Sequence, residues 1–184
     1  MMKPKILYIG NKVSIHGKTA TTIETLSLLL HQDGFNMITT SDKRLMFFRL
    51  FDMIWNVLKH RRDIDYILID TYSTMSFWYA FFCSQLARIL KIKYLPILHG
   101  GNLPQRIVKN PKISGMIFHN AYQNIAPSNY LLESFQKNGY SKVVFIPNVI
   151  EIDNYPFINR KFETPKLLWV RSFAKLYNPE MAIK

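Results

Sequence analysis

Short strand-like runs alternate with segments of helical periodicity along the first hundred residues, and this alternation limits the fold more than any other feature. The runs have the length and composition of strands buried within a sheet. They lie at Ile6–Ile9, Phe35–Thr40, Tyr66–Ile69 and Lys93–Leu98. Strand–helix–strand units of this kind join parallel strands through right-handed crossovers. The sequence therefore predicts an α/β, Rossmann-like fold, with a mostly parallel sheet and helices on both faces.

The alternation continues to residue 148 and then stops. Further helices are predicted over 105–110, 111–120 and 128–137, and further strands over 124–126 and 143–146. Residues 149–165 have no clear period and read as a connector. A strand over 166–170 and the start of a helix over 179–184 follow, and these are too short to bury a core. We therefore expect a first domain over 1–148, a connector over 149–165, and at 166–184 the first βα fragment of a second domain whose remainder lies outside this sequence.

The charge and composition limit which partners the protein is expected to bind and in which cellular compartment it is expected. Lysine and arginine total 24 against 12 acidic residues, a net charge of +12, which favours an anionic partner. No zinc-finger, RNP-like or KH-like pattern accompanies that charge, so nucleic acid is not expected. A single cysteine, Cys83, excludes an internal disulfide and suits a reducing compartment. No signal-peptide pattern and no run of about 18 apolar residues is present, so we expect a cytoplasmic protein.

The segment from Leu45 to Leu58 is almost wholly apolar. Arg49, Asp52 and Asn56 interrupt it at spacings of three and four, which places them on one narrow stripe of a helix. The basic run 59–62 follows, where cations complement the helix dipole. Such a helix is either buried or lies in a membrane interface with its basic end on lipid headgroups. The apolar character on two sides favours burial.

The stretch Leu98-His99-Gly100-Gly101-Asn102 is the first candidate for a binding site. His99 ends a strand, and ligands of open α/β sheets bind at the carboxyl ends of the strands. Glycines there let the backbone approach a ligand closely. The alternative is that His99 is a partly buried loop histidine and that the glycines only make the turn. Asp70, at the end of the preceding strand, could orient His99 or cap its own loop.

A second candidate is the loop Gly17-Lys18-Thr19, between the first strand and the first helix. A phosphate-binding P-loop ends in these residue types but needs a glycine five positions earlier, where this chain has Lys12. What remains is a small basic loop at the same sheet edge as His99, able to approach an anionic group. The histidines and Cys83 have no metal-ligand spacing, and no Gly-x-Ser-x-Gly elbow occurs, so neither a metal site nor a serine hydrolase is expected.

Four motifs in order resemble the family 4 glycosyltransferases of the GT-B fold. They are Ile97-Leu98-His99-Gly100-Gly101-Asn102-Leu103-Pro104, Ala126-Pro127-Ser128, Phe145-Ile146-Pro147-Asn148-Val149 and Leu167-Leu168-Trp169-Val170-Arg171. Their order and spacing match the family along the whole chain. The third and fourth motifs correspond to the crossing between the family's two Rossmann-like domains.

The resemblance implies a retaining transfer of a hexose from a UDP- or GDP-sugar to a lipid-linked or polysaccharide acceptor. It implies no metal and no cofactor beyond the nucleotide-sugar substrate. His99 matches the family's cleft histidine, which hydrogen-bonds the donor sugar near the reacting carbon, and is the expected catalytic residue. The expected donor- or acceptor-binding residues are Gly17, Lys18, Gly100, Asn102, Arg171 and Lys175. An anionic membrane surface at the inner face is a further expected partner, since a basic protein suits phospholipid or lipid-pyrophosphate acceptors.

The sequence departs from the family pattern in two places, one that grips the donor diphosphate and one that holds the donor's sugar and ribose. The family has Gly-Arg and later Lys-Gly after the first strand of its second domain, whereas Arg171 is shifted by one position and Tyr177-Asn178 stands where Lys-Gly is expected. Arg171 or Lys175 could take over that grip. The acidic Glu-x7-Glu segment of the family lies beyond residue 184. We therefore expect this chain to be inactive alone.

Two other functions remain open from the residues themselves. The first is a non-catalytic Rossmann-like binding domain that acts through its basic surface. The second is a P-loop-like nucleotide-binding protein that uses Lys18.

Overall fold

The computed structural model describes residues 3–12, 14, 21–148, 168–170, 173, 175 and 178–182. The chain divides into two compact units, residues 1–149 and 150–184. The strands of the first unit are β1 (Lys5–Ile9), β2 (Asn36–Thr40), β3 (Tyr66–Tyr72), β4 (Lys93–His99), β5 (Asn124–Ala126) and β6 (Val143–Phe145). The helices are α1 (Thr22–Gln32), α2 (Met46–His60), α3 (Phe77–Ile89), α4 (Leu103–Lys109), α5 (Pro111–Phe118) and α6 (Asn129–Lys137).

The six strands form one parallel sheet in the order β2-β1-β3-β4-β5-β6. The chain moves one way from β1 to β2 and the other way from β2 onward. Right-handed crossovers therefore place α1 on one face and α2 to α6 on the other. The prediction of an α/β, Rossmann-like fold with helices on both faces is confirmed.

Alternate side chains of the strands build the two sides of the core. Leu7, Ile9, Ile67 and Ile69 are almost fully buried in a cluster that includes residues of α2 and α3. Ile6, Tyr8, Leu68 and Ile97 are buried on the other face, where Leu26 and Leu30 of α1 cover them. A third cluster joins β4, β5 and β6 to α3 through α6. Burial on both faces explains why the strands read as continuous apolar runs.

The glycines predicted to end helices and the serine predicted to cap one are found at those positions. Gly34 and Gly139 have φ of 84°, the left-handed conformation that ends a helix and favours glycine. The Ser128 hydroxyl accepts a hydrogen bond from the Leu131 amide at 3.3 Å, so Ser128 caps α6.

Two sequence-based expectations are wrong, and a third is met only in part. The segment from Leu45 to Leu58 is not a buried helix, because α2 buries only one side and leaves Phe47, Phe51 and Trp55 among its exposed residues. The strand predicted over 166–170 is absent from its described part, residues 168–170. A strand needs a neighbour to complete its hydrogen bonds, and the sequence predicts no other strand in that unit. The helix predicted from Pro179 is a short 3-10 helix, Pro179–Ala182.

None of the helices in the described ranges has the length and apolarity that crossing a bilayer requires.

Candidate functional site

Three neighbouring strands bring the side chains of two tyrosines, one aspartate and one histidine to the edge of the sheet where the strands end. Tyr8 comes from β1, Asp70 and Tyr72 from β3, and His99 is the last residue of β4. The parallel register pairs Tyr72 directly with His99. Because the strands are parallel, their carboxyl ends meet at one edge, which is the usual ligand-binding edge of open α/β sheets.

A single oxygen of the Asp70 carboxylate is within hydrogen-bond distance of both His99 and Tyr8. Oδ1 accepts a hydrogen bond from the Tyr8 hydroxyl at 2.9 Å and lies 2.9 Å from Nε2 of His99. An ionised carboxylate has only lone pairs to offer, so Nε2 of His99 carries the proton. In a neutral imidazole this leaves Nδ1 with a free lone pair. His99 can therefore accept a hydrogen bond, or a proton, from a hydroxyl group at Nδ1.

The tyrosine rings of the cluster hold this arrangement. Tyr72 stacks on His99 with ring centroids 4.7 Å apart and planes 17° from parallel. Burial, with a smaller contribution from the Asp70 charge, raises the pKa of both Tyr8 and Tyr72 above the ordinary value. Both phenols are therefore protonated at neutral pH, and Tyr8 is a permanent hydrogen-bond donor to Asp70.

The second oxygen of Asp70 lies against the backbone. Oδ2 is buried and makes no hydrogen bond within the described ranges. A Cβ added to Gly10 would lie 2.5 Å from Oδ2 and 3.1 Å from Cβ of Ile23. Gly10 is thus required by close packing of the chain after β1 against the carboxylate.

The glycine loop after His99 leaves open space. Gly100 has φ of 83°, and among the described residues neither Gly100 nor Gly101 has a heavy atom within 4 Å of an added Cβ, apart from its chain neighbours. Asn102 is exposed and directly precedes α4. The Tyr130 hydroxyl donates a hydrogen bond to the Gly101 carbonyl at 3.2 Å. A ligand can therefore approach the loop backbone next to the fixed histidine.

The structure brings together His99, Gly100 and Asn102 of the predicted site residues, with Asp70 as the residue that orients His99. Gly17, Lys18 and Arg171 lie outside the described residues. Lys175 is exposed and belongs to the second unit.

Sequence reasoning missed Tyr8 and Tyr72 as members of the site. Tyr8 reads as one more apolar residue of its strand, and Tyr72 reads as part of a loop. The available signal was their position. Tyr8 lies one residue before the end of the predicted strand Ile6–Ile9, and Tyr72 lies three residues after the end of the predicted strand Tyr66–Ile69, close to Asp70.

Among the described residues, neither a cluster of metal-ligating side chains nor a reactive thiol accompanies this site. The described part of the chain contains no group of three or more histidine, cysteine or acidic side chains that could hold a metal ion. Cys83 is fully buried in α3, and burial raises the pKa of its thiol to about 12.

An apolar cavity of about 460 Å³ lies beside α1, on the same face of the sheet as Tyr8. Leu26 and Leu30 of α1, with Leu68, Ile97 and Ile125 of the strands, are among the residues that line it. Of the predicted site residues that the structure describes, none lines it.

Comparison with known proteins does not assign this chain to a family. No protein-family model matches the chain. No curated protein matches it. Among solved structures, the solution NMR structure of a de novo designed Rossmann 2x3 fold protein is similar over 76% of this chain and 94% of that chain. The identity is 19% and the TM-score is 0.39, too low for the likeness to bear on function.

Proposed function

We propose that this chain is the acceptor-side part of a retaining GT-B-type glycosyltransferase. The enzyme would transfer a hexose from a UDP- or GDP-sugar to a lipid-linked or polysaccharide acceptor, at the cytoplasmic face of a membrane. The observation that carries the proposal is the His99–Asp70 pair at the carboxyl edge of the sheet, 2.9 Å apart, beside the open glycine loop. The family resemblance of the four motifs supports the same function.

The chemistry of the pair suits sugar recognition. Asp70 accepts a hydrogen bond from Nε2–H of His99, which leaves Nδ1 to accept a hydrogen bond from a hydroxyl group, the commonest polar group on a sugar. The stacked Tyr72 ring keeps the imidazole from rotating. Pre-positioned groups of this kind cost little ordering entropy when a ligand binds.

A titration that observes the histidine itself tests the proposal. The 184-residue chain, labelled with 15N in its histidines, is titrated with UDP- and GDP-hexoses to about 10 mM, which detects millimolar affinities. UDP and GDP without a sugar are the ligand controls. His99→Gln assigns the signal, and His31→Gln, at an exposed position on α1, is the matched control. We expect the Nδ1 resonance of His99 to shift with at least one nucleotide sugar and not with the bare nucleotides.

Two results would contradict the proposal in different ways. If no nucleotide sugar moves the His99 resonance, this edge is not a sugar site. If the bare nucleotides move it equally, the site binds nucleotides, as the P-loop alternative predicts.

Nucleotide release is measured in parallel on the same chain. Brisk turnover would overturn the expectation that this chain is inactive alone.

One structural observation favours the second candidate, a binding domain that acts through a basic surface. Lys3, Lys5, Lys91 and Lys93 line a hollow at the amino edge of the sheet, together with Arg61. That hollow is on the opposite edge from His99. Ligand responses confined to it, with none at His99, would favour the binding domain over the transferase.

A further inference from the structure

Helix α2 carries a stripe of exposed aromatic residues. Phe47, Phe51 and Trp55 are 72%, 70% and 65% exposed, and Phe48 is 63% exposed. Spacings of four residues place the first three on one line along the helix. Met53 and Val57, which point to the sheet, are fully buried. The helix therefore has two apolar sides, and only one of them is covered.

Asp52 and Asn56, two polar residues in the middle of α2, do not share the outward side. The Thr40 hydroxyl donates to Oδ2 of Asp52 at 2.7 Å, and Nδ2 of Asn56 donates to the Asp52 carbonyl at 2.8 Å. Asp52 and Asn56 are thus half-buried and satisfied within the first unit. Their placement leaves the aromatic stripe as the outermost surface of the helix. Exposed apolar patches of this kind mark interaction surfaces.

Cations surround the stripe at both ends of the helix. Lys43 and Arg44 precede α2, and Lys59, Arg61 and Arg62 stand at and after its carboxyl end, all of them exposed. The acidic residues in the same stretches are Asp42 and Asp63. Aromatic side chains between clusters of lysine and arginine are typical of helices that lie in the interface of an anionic membrane.

The positive surface continues from the end of α2 into the hollow at the amino edge of the sheet. This hollow has a volume of about 950 Å³, and Arg61 lines it with Lys3, Lys5, Lys91 and Lys93. Asp65 is the acidic residue that lines it. His60, at the end of α2, has its pKa lowered by burial and by the charges of Lys59 and Lys5. The local field is therefore positive where the helix meets the sheet edge.

We propose that α2 docks along the surface of a membrane rich in anionic phospholipid. The aromatic stripe enters the boundary between headgroups and acyl chains, and the flanking cations contact lipid phosphates. A second copy of this chain is a poorer occupant, because it would bring the same cations against one another. The inference rests on the membrane location in the proposed function and is independent of sugar transfer.

Sedimentation with sucrose-loaded vesicles tests the surface. The whole chain is mixed with vesicles of phosphatidylcholine, or of equal parts phosphatidylcholine and phosphatidylglycerol. We expect sedimentation with the anionic vesicles only. We also expect it to weaken as salt rises from about 0.05 M to about 0.5 M, because salt screens surface charges.

Matched variants separate the stripe from general hydrophobicity and charge. Phe51→Ser with Trp55→Ser is compared with Leu28→Ser with Val108→Ser, which removes exposed apolar residues from α1 and α4. The first pair should lower the partition coefficient at least about tenfold, since it removes two insertable aromatic rings. The second pair should leave it unchanged.

The charge test uses triple variants of equal net charge. Glutamine replaces Lys59, Arg61 and Arg62 in one variant, and the exposed Lys109, Lys112 and Lys142 in the control. The first should weaken binding to anionic vesicles about a hundredfold, and the control should weaken it much less.

Three results would overturn the proposal. The first is no sedimentation with anionic vesicles. The second is an equal effect of each variant and its matched control. The third is a concentration-dependent dimer that Phe51→Ser with Trp55→Ser abolishes, which would show a second copy on the stripe. Because all substituted positions are exposed, unchanged circular dichroism and melting temperature are expected in every variant. None of these measurements depends on His99.

Discussion

Replacing Tyr8 with phenylalanine removes one hydroxyl from the candidate site and nothing else. Tyr8 is fully buried, and its hydroxyl donates to Oδ1 of Asp70 at 2.9 Å. Hydrogen bonds to a charged group contribute about 1.5–3 kcal/mol to stability, against about 0.5–1.5 kcal/mol for a neutral pair. We therefore expect Tyr8→Phe to lower the free energy of unfolding by about 1.5–3 kcal/mol.

The matched control is a second buried tyrosine with a neutral acceptor. The Tyr94 hydroxyl donates to the Ile117 carbonyl at 2.6 Å, and Tyr94 is 2% exposed. Urea denaturation followed by far-UV circular dichroism measures both variants. Tyr94→Phe should cost about 0.5–1.5 kcal/mol. If Tyr8→Phe costs no more than Tyr94→Phe, the Asp70 carboxylate is not the charged acceptor described here.

The same pair predicts a dependence on alkaline pH. In the unfolded chain Tyr8 loses its proton at about pH 10, whereas burial and then the Asp70 charge raise its folded pKa. The unfolded state then binds fewer protons, so this stability is complete below about pH 10 and falls as pH rises further, by about 1.4 kcal/mol per pH unit. The difference between wild type and Tyr8→Phe should shrink over that range. A constant difference up to about pH 11 would contradict the raised pKa.

Three further substitutions and one chemical treatment test the packing around the site and in the core. Gly10→Ala should lower the free energy of unfolding by about 1–3 kcal/mol in urea, because its Cβ would stand 2.5 Å from Oδ2 of the immobilised Asp70. Gly100→Ala should cost about 1 kcal/mol from its positive φ, whereas Gly101→Ala, with open space around it, should leave stability unchanged and weaken any sugar response at the site. Cys83 should resist iodoacetamide at pH 8 until urea unfolds the chain, because its thiol is buried and its pKa is raised to about 12. Stable Gly10→Ala, unstable Gly101→Ala, or rapid alkylation of native Cys83 would each contradict the packing described.

The fold was predictable because it depends on local patterns. Runs such as Ile6–Ile9 and Tyr66–Ile69 are strands buried on both faces, and the helices between them set the parallel connections. Whether one or both apolar sides of α2 are buried was not predictable from the sequence. An all-round apolar pattern is the same for a helix covered on both sides and for one covered on a single side. The exposure of Phe47, Phe51 and Trp55 shows that no described residue of the first unit covers the outer side of α2.

The site was predictable in part. His99 and Asp70 stand at the ends of consecutive strands, so their proximity follows once β3 and β4 are neighbours. Tyr8 is 62 residues from Asp70 and joins the site only because β1 lies between β2 and β3. That order is a property of the whole sheet and not of any short stretch. Which nitrogen of His99 stays free depends on this tertiary contact with Asp70.

The position of α2 relates the two proposals to each other. Its axis is about 22 Å long, and it runs from the carboxyl edge of the sheet to the amino edge. Near its start, Arg49 donates to the Asn11 side chain at 3.1 Å, and Asn11 directly follows Gly10, which lies against Asp70. A membrane along the aromatic stripe would therefore pass the carboxyl edge of the sheet on the face that α2 covers, whereas Tyr8, and with it Asp70 and His99, lies on the face that α1 covers. An acceptor held by a lipid could approach that edge without leaving the bilayer surface, whereas a soluble polysaccharide would gain nothing from the stripe. The His99 resonance of the vesicle-bound chain is measured with a lipid-linked saccharide and with the same saccharide in solution. A stronger shift with the lipid-linked form would support a link between membrane docking and acceptor binding. Equal shifts would show that the two are independent.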